Sequence, residues 1–353
     1  DIDFSKDGLR LKQDGTYLFA EGTTLGGDDG IAVAYALAVL ESETLAHPPL
    51  EAVFTVDEEI GMLGADAMDM SLLSGRVMLN IDSEDEGILT AGCAGGATAT
   101  FTLPVKRETA GGQGWRVRVD GLTGGHSGVE IHKGRVNANK FMGELLRKLP
   151  DVRLARVDGG AKDNAIPRSC EALLVSQAPD FAGRFEAAKA ACLAALPATE
   201  PHAVITCEAA EAAQVMTAEC SAAVLGLLGE LPNGVQAMSA DIEGLVQTSL
   251  NLGIVKTAQE SVTMTFSVRS SVGAEKTALL TRLQALAEKY GAAYGQMGEY
   301  PAWEYRKDSC LRETMVETFE ALYGKKPVVD VIHAGLECGI FSDRLPGLDA
   351  VSL

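Results

Sequence analysis

The sequence is short of basic residues, of paired cysteines and of long apolar runs, and each shortage removes a class of function. Lys and Arg total 30 against 49 Asp and Glu, a formal net charge of −19. A surface of that sign disfavours nucleic acid and anionic membranes as partners; cations are the better guests. Apolar residues make up 46% of the chain, yet no run approaches the ~20 residues that a membrane-crossing helix needs. The 7 cysteines, at positions 93, 170, 192, 207, 220, 310 and 338, are odd in number and never stand as CxxC. That argues against a disulfide framework and a zinc-thiolate knuckle, and for small buried hydrophobes in a reducing compartment. The opening residues DIDFSKDGLRLKQDG carry no basic stretch followed by an apolar one, so no export signal is expected and the expected location is cytoplasmic. Neither a GxSxG elbow nor a Cys/His signature occurs, so no protein nucleophile is expected.

A chain of 353 residues exceeds one ordinary core and predicts two domains. Residues 31–42 read as a helix, 50–56 as a buried strand, 62–73 as a helix and 76–82 as a strand. This alternation predicts a parallel sheet flanked by helices. After about residue 108 the pattern changes. Partly alternating strands (GWRVRVDGL, CEALLVSQ, HAVITCEA, LVQTSLNLGIV, SVTMTFSVRSS) are interspersed with helices near 135–148, 180–196, 214–230 and 274–291, the pattern of an α+β unit with a mainly antiparallel sheet. Near 301–304 the character shifts again, to a helix at 310–323 and strands at PVVDVI and LDAVSL. The fold class expected is therefore α/β, with a discontinuous catalytic domain of residues 1–108 and 301–353 and an inserted α+β lid domain of residues 109–300.

Against this frame five acids stand out: Asp28, Asp29, Glu58, Glu59 and Asp82. In open parallel sheets ligands bind beyond the carboxyl ends of strands, where Glu58, Glu59 and Asp82 are expected. Taken singly each has a plain structural explanation. Asp28 or Asp29 could cap the following helix; the others could be solvated loop residues. Together they are the oxygen donors that borderline divalent cations take, and a second glutamate beside a ligand can move a proton from bound water.

The motifs GTTLGGDDG, TVDEEIG, NIDSEDEG, AGCAGG, GGHSGVEIHKGRVNANK, NAIPR, SLNLG and IHAGLECG follow one another from the first residue to the last. In that order they resemble the aminoacyl-histidine dipeptidase branch of the metallopeptidase family that includes aminoacylase, tripeptidase T and carnosinases. The resemblance implies a metal-dependent dipeptidase acting on unblocked dipeptides, Xaa-His among them, through a metal-activated water. It implies two divalent ions, zinc first with cobalt or manganese as alternatives. Asp28 would bridge them, Glu59 and Asp82 would each hold one, and Glu58 would be the general base and acid. His126 in LTGGHSG would stabilise the oxyanion, and Asn164, Arg269 and Glu337 would bind substrate. It further implies a homodimer formed through the inserted domain.

Two histidine ligands of that family, one in an HxD motif before the DD pair and one after the strand at DAVSL, have no counterpart among His47, His126, His132, His202 and His333. Both are expected beyond the two ends of the sequence. The alternatives are an N-acyl amino acid deacylase of the same family and a non-catalytic scaffold with a degenerate metal site.

Overall fold

The computed structural model describes residues 2–27, 29–83, 85–149 and 151–353. The chain divides into two compact units, one of residues 1–91, 308–330 and 345–353, the other of residues 92–307 and 331–344. The sequence places these divisions at 108/109 and 300/301. Residues 92–104 fall with the larger unit because strand Gly95–Pro104 is hydrogen-bonded along its length to Ser261–Ser270 and also to Ala293–Tyr300.

The larger unit is built on a nine-stranded sheet. Its order runs Val204–Ala209, Gln113–Asp120, Cys170–Ser176, Arg153–Gly159, Val246–Thr257, Ser261–Ser270, Gly95–Pro104, Ala293–Tyr300, with Gly234–Met238 also paired to Val246–Thr257. Among the described residues its pairings are antiparallel. Two-residue periodicity explains the strands. In Gln113–Asp120, Val117 and Val119 are buried, while Arg116 alternates outward and pairs with Glu208 at 2.9 Å. Helices Ala138–Arg147, Phe181–Ala194, Ala218–Glu230 and Gly273–Lys289 contribute to the same core. Helix Ala138–Arg147 is typical: Asn137 caps it by accepting from the Asn139 and Lys140 amides, and Phe141, Met142, Leu145 and Leu146 form its buried face. Each such side chain contributes roughly 1.5–3 kcal/mol on burial.

A buried amide network ties this helix to the loop that precedes strand Ala165–Ile166. Asn137 Nδ2 donates to Asn251 Oδ1 (3.0 Å), and Asn251 Nδ2 donates to the carbonyls of Asp163 (2.9 Å) and Ala165 (2.8 Å). Asn139, fully buried, donates to the Leu252 carbonyl. Buried amides of this kind fix register, because leaving one unpaired would cost ~1–3 kcal/mol.

The smaller unit holds helix Gly30–Glu41, hairpin Leu11–Asp14 with Tyr17–Ala20, helix Cys310–Tyr323 and the parallel pair Val77–Asn80 with Asp349–Ser352. Two expectations fail there. Residues 50–56 form no strand among the described residues, and Val53, Phe54 and Val56 are exposed rather than buried. The helix expected at 62–73 breaks into Leu63–Ala67 and a 3-10 turn Met70–Leu72. Met68 turns extended, and Asp69 then accepts from the Ser71 amide, starting a new turn in place of continuing the old one.

Candidate active site

In the smaller unit the acids lie on short, locally pinned segments. Asp29 caps helix Gly30–Glu41, its carboxylate accepting from the Ala32 amide at 3.2 Å. Asp28 lies outside the described residues. Glu58 and Glu59 occupy a turn bracketed by two non-glycine residues at positive φ, Asp57 (60°) and Met62 (57°). The turn is closed by amides of Gly61 and Met62 donating to the Glu58 carbonyl and by Gly64 donating to Val56. A Cβ at Gly64 would lie 2.4 Å from the Val56 carbonyl oxygen, so only glycine allows the closure. Left-handed backbone at a non-glycine residue costs of order 1–3 kcal/mol and marks functional turns more often than plain ones. Asp82 follows the carboxyl end of Val77–Asn80, beside the end of its parallel neighbour. There Leu353 donates to the Asn80 carbonyl, and Ser83 and Asn80 both bond the Ser352 hydroxyl.

Carboxylate oxygens of this kind suit a hard or borderline divalent cation. Among the described residues no group of three or more His, Cys, Asp and Glu is gathered as a cation site. Of the expected ligands only Glu59 and Asp82 are described.

In the larger unit His126 has Asn164 and Arg269 as neighbours. Strand Gly125–His126 pairs with Ala165–Ile166, opposing His126 to Ala165, and the Ser127 amide donates to the Asn164 carbonyl at 2.9 Å. Asn164 is thereby set beside the His126 turn with its side chain exposed. The glycine pair ahead of the histidine is required by contact: Gly124 has φ +64° with Arg168 against it, and a Cβ on Gly125 would strike Arg135.

His126 Nδ1 accepts from the amides of Gly128 and Val129, both at 3.2 Å. In the neutral ring the proton must then sit on Nε2. Burial, and next the Arg269 guanidinium, hold the imidazole pKa below its usual value, with Glu130 opposing them. The side chain is thus a neutral Nε2–H donor at pH 7. Gly128 lets the group assemble: a Cβ there would lie 2.6 Å from the His333 carbonyl oxygen and 3.0 Å from His126 Cε1.

Arg269 is half-buried. Its Nη1 donates to the Tyr300 hydroxyl at 2.9 Å, while its Nε is shielded from solvent with no hydrogen-bond partner. His333 is 6% exposed, and its Nε2 shares a 2.8 Å hydrogen bond with Ser249, the ladder partner of Arg269. Burial and the same guanidinium push its pKa down to about 4. Its Nδ1 is buried without a partner. Glu337 is half-buried and immediately precedes helix Cys338–Arg344. The described arrangement sets a neutral imidazole N–H at His126 and a cationic guanidinium at Arg269, suited to oxyanion and carboxylate recognition, with the buried His333 beside them.

Ser249, Tyr300 and a bonded role for His333 do not emerge from the sequence. His132, His47 and His202 are exposed. All 7 cysteines are free, and Cys93, with its thiol pushed up to about 11 by burial, is no nucleophile.

A family model described as the peptidase dimerisation domain of the M20 group matches residues 117–196. The chain is 36% identical over 360 residues to the cytosol non-specific dipeptidase of Escherichia coli strain K12, covering 99% of this chain and 74% of that protein. A protein of Bacillus subtilis strain 168 named uncharacterized protein YqjE is 28% identical over 172 residues, covering 45% of this chain and 42% of that one. Among solved structures, aminoacylhistidine dipeptidase from Vibrio alginolyticus is similar with a TM-score of 0.92 and 38% identity, covering 100% of this chain and 74% of that one.

Proposed function

Because the chain belongs to the M20 family of metallopeptidases, we propose that it hydrolyses unblocked dipeptides, those ending in histidine included, with two divalent ions, zinc before cobalt or manganese. The observation that carries the reading is His126, a neutral Nε2–H donor beside Arg269. Asp28, Glu59 and Asp82 would hold the metals. Bound there, the ions lower the pKa of a water molecule toward neutrality. Glu58 takes the proton of the attacking water and returns it to the leaving amine. His126 donates to the developing oxyanion, where a preorganised donor contributes most. Arg269 clamps the C-terminal carboxylate with its planar fork, Asn164 bonds the substrate backbone, and Glu337 receives the free α-amino group.

A homodimer formed through the region around 117–196 and a cytoplasmic location complete the reading. The matched domain description and the cytosolic relative support both. No helix among the described residues is long and apolar enough to cross a membrane.

The test is an assay of the full-length protein on Xaa-His dipeptides and on N-acyl amino acids, before chelation, after it, and after zinc is returned. Dipeptide hydrolysis that chelator abolishes and zinc restores is expected. Turnover confined to N-acyl substrates would make the protein a deacylase. No turnover of either class, with metal bound, would leave a binding protein on this fold.

A further inference from the structure

Arg269 and Tyr300 lie on strands that are not neighbours. Between them runs Gly95–Pro104, and Gly96 opposes Arg269 on one side and Tyr300 on the other. Across two strand spacings, about 10 Å, the two side chains could meet only by reaching over the middle strand. Gly96 permits it. A Cβ there would lie 2.5 Å from the Tyr300 hydroxyl oxygen and 2.6 Å from its Cζ. The ring's other constraint is Gly335 of IHAGLECG, whose Cβ would come within 2.7 Å of Tyr300 Cε2.

The backbone is fixed as well. A register shift between Met297 and Tyr300 interrupts the ladder and re-aims the side chain. The buried Lys276 donates to the Tyr300 carbonyl at 2.6 Å and pairs with Glu299 at 3.1 Å. Ring and main chain are therefore held independently. The hydroxyl ends 2.9 Å from Arg269 Nη1, and the shielded Nε keeps its proton without a partner.

We propose that Tyr300 is the positioning residue for Arg269: it occupies one corner of the guanidinium and turns the remaining N–H edge toward the carboxylate of a dipeptide. This rests on the reading of Arg269 as the carboxylate clamp. A fork held in one orientation binds a carboxylate more tightly than a mobile one, because less rotamer freedom is lost on binding.

The experiment is calorimetric titration of the full-length protein with a non-hydrolysable reduced-amide dipeptide, in its free-acid and C-terminal carboxamide forms. Tyr300→Phe keeps the ring between its two glycines and removes the bond. It is expected to weaken the free acid about tenfold and to leave the carboxamide within twofold. Arg269→Lys keeps the charge without the fork and should lose the same discrimination, with Tyr300→Phe adding nothing in that background. In the active enzyme the effect should appear in KM and not in kcat. Equal weakening of both ligands, or none, in Tyr300→Phe overturns the proposal while leaving the clamp intact. An Arg269→Ala protein that still prefers the free acid removes the clamp itself, and the proposal with it.

Discussion

Two helices, one in each unit, have the same start and opposite fates. Gly30–Glu41 and Ala138–Arg147 are both opened by an Asx side chain that accepts from the first turn. The second buries Ala138, Asn139, Phe141, Met142, Gly143, Leu145 and Leu146. The first, more apolar in sequence, has no buried residue, and Ile31, Tyr35 and Leu37 are more than half exposed. Among the described residues, apolar composition and burial do not coincide in this helix. Arg269 sits in a sheet whose register is locked over many residues, His333 is bonded to that sheet through Ser249, and His126 is held by a two-residue ladder and two amide bonds. Glu58, Glu59, Asp82 and Asp29 are held by turns, caps and short ladders. Substitutions in the larger unit should couple binding to stability; those at Glu58 should change turnover without changing the fold.

The largest effect tests that separation at its sharpest. Glu58→Ala should lower kcat about a thousandfold, the middle of the range for a general acid–base group. Metal content and thermal midpoint should stay near wild type, because the Glu58 carbonyl that accepts from Gly61 and Met62 is kept by the substitution. A protein that keeps its turnover, or one that loses its metal and its fold together, would break the comparison. His126→Ala should cost less, about a hundredfold in kcat with KM little changed, as for a single oxyanion donor. Here the Gly128 and Val129 amides lose their acceptor as well, so a fall in the midpoint is expected alongside the kinetic loss.

The same contrast governs what could be read from the sequence. Strand alternation marks Gln113–Asp120, Cys170–Ser176 and Ser261–Ser270, and the helix expected at 310–323 is Cys310–Tyr323. Residues 50–56, expected as a buried strand, form none among the described residues, and their apolar side chains are exposed. His126, Asn164 and Arg269 stand out through motifs, and the ladder at Ala165 with the Ser127–Asn164 bond sets the first two side by side. Tyr300 could not be found. Its role depends on two ladder registers and two glycines, Gly96 and Gly335, far apart in the chain, and none of the four leaves a local signature. Ser249 was legible only as part of SLNLG, with no hint that it bonds His333.

A smaller effect probes the larger unit through pH. His333 is folded with a pKa near 4 against an ordinary 6.5, because burial and then Arg269 disfavour its charged form. The unfolded chain takes up the proton first as pH falls. Stability from keeping the ring neutral is thus complete above 6.5 and is lost as pH drops toward 4, by about 3 kcal/mol if the whole shift is realised. His126, lowered for the same reasons, acts in the same direction. Urea midpoints between pH 7 and 4.5 should fall more steeply in the wild type than in His333→Gln. Identical slopes in the two proteins would remove His333 as a contributor.

The smallest effect returns to the helix that buries nothing. With 12 residues, Gly30–Glu41 is at the lower limit for a helix in water, even with its alanines. With no residue buried by the described packing, the Asp29 cap is a large part of what holds it. Asp29→Ala should cost about 1 kcal/mol, and Asp29→Asn, which caps equally well, almost nothing. Amide exchange in the first turn of the helix should accelerate in the alanine variant, while the amides of Ala138–Arg147 keep their protection. If the alanine variant exchanged no faster, the helix would be held by burial after all, and the contrast between the two helices would disappear.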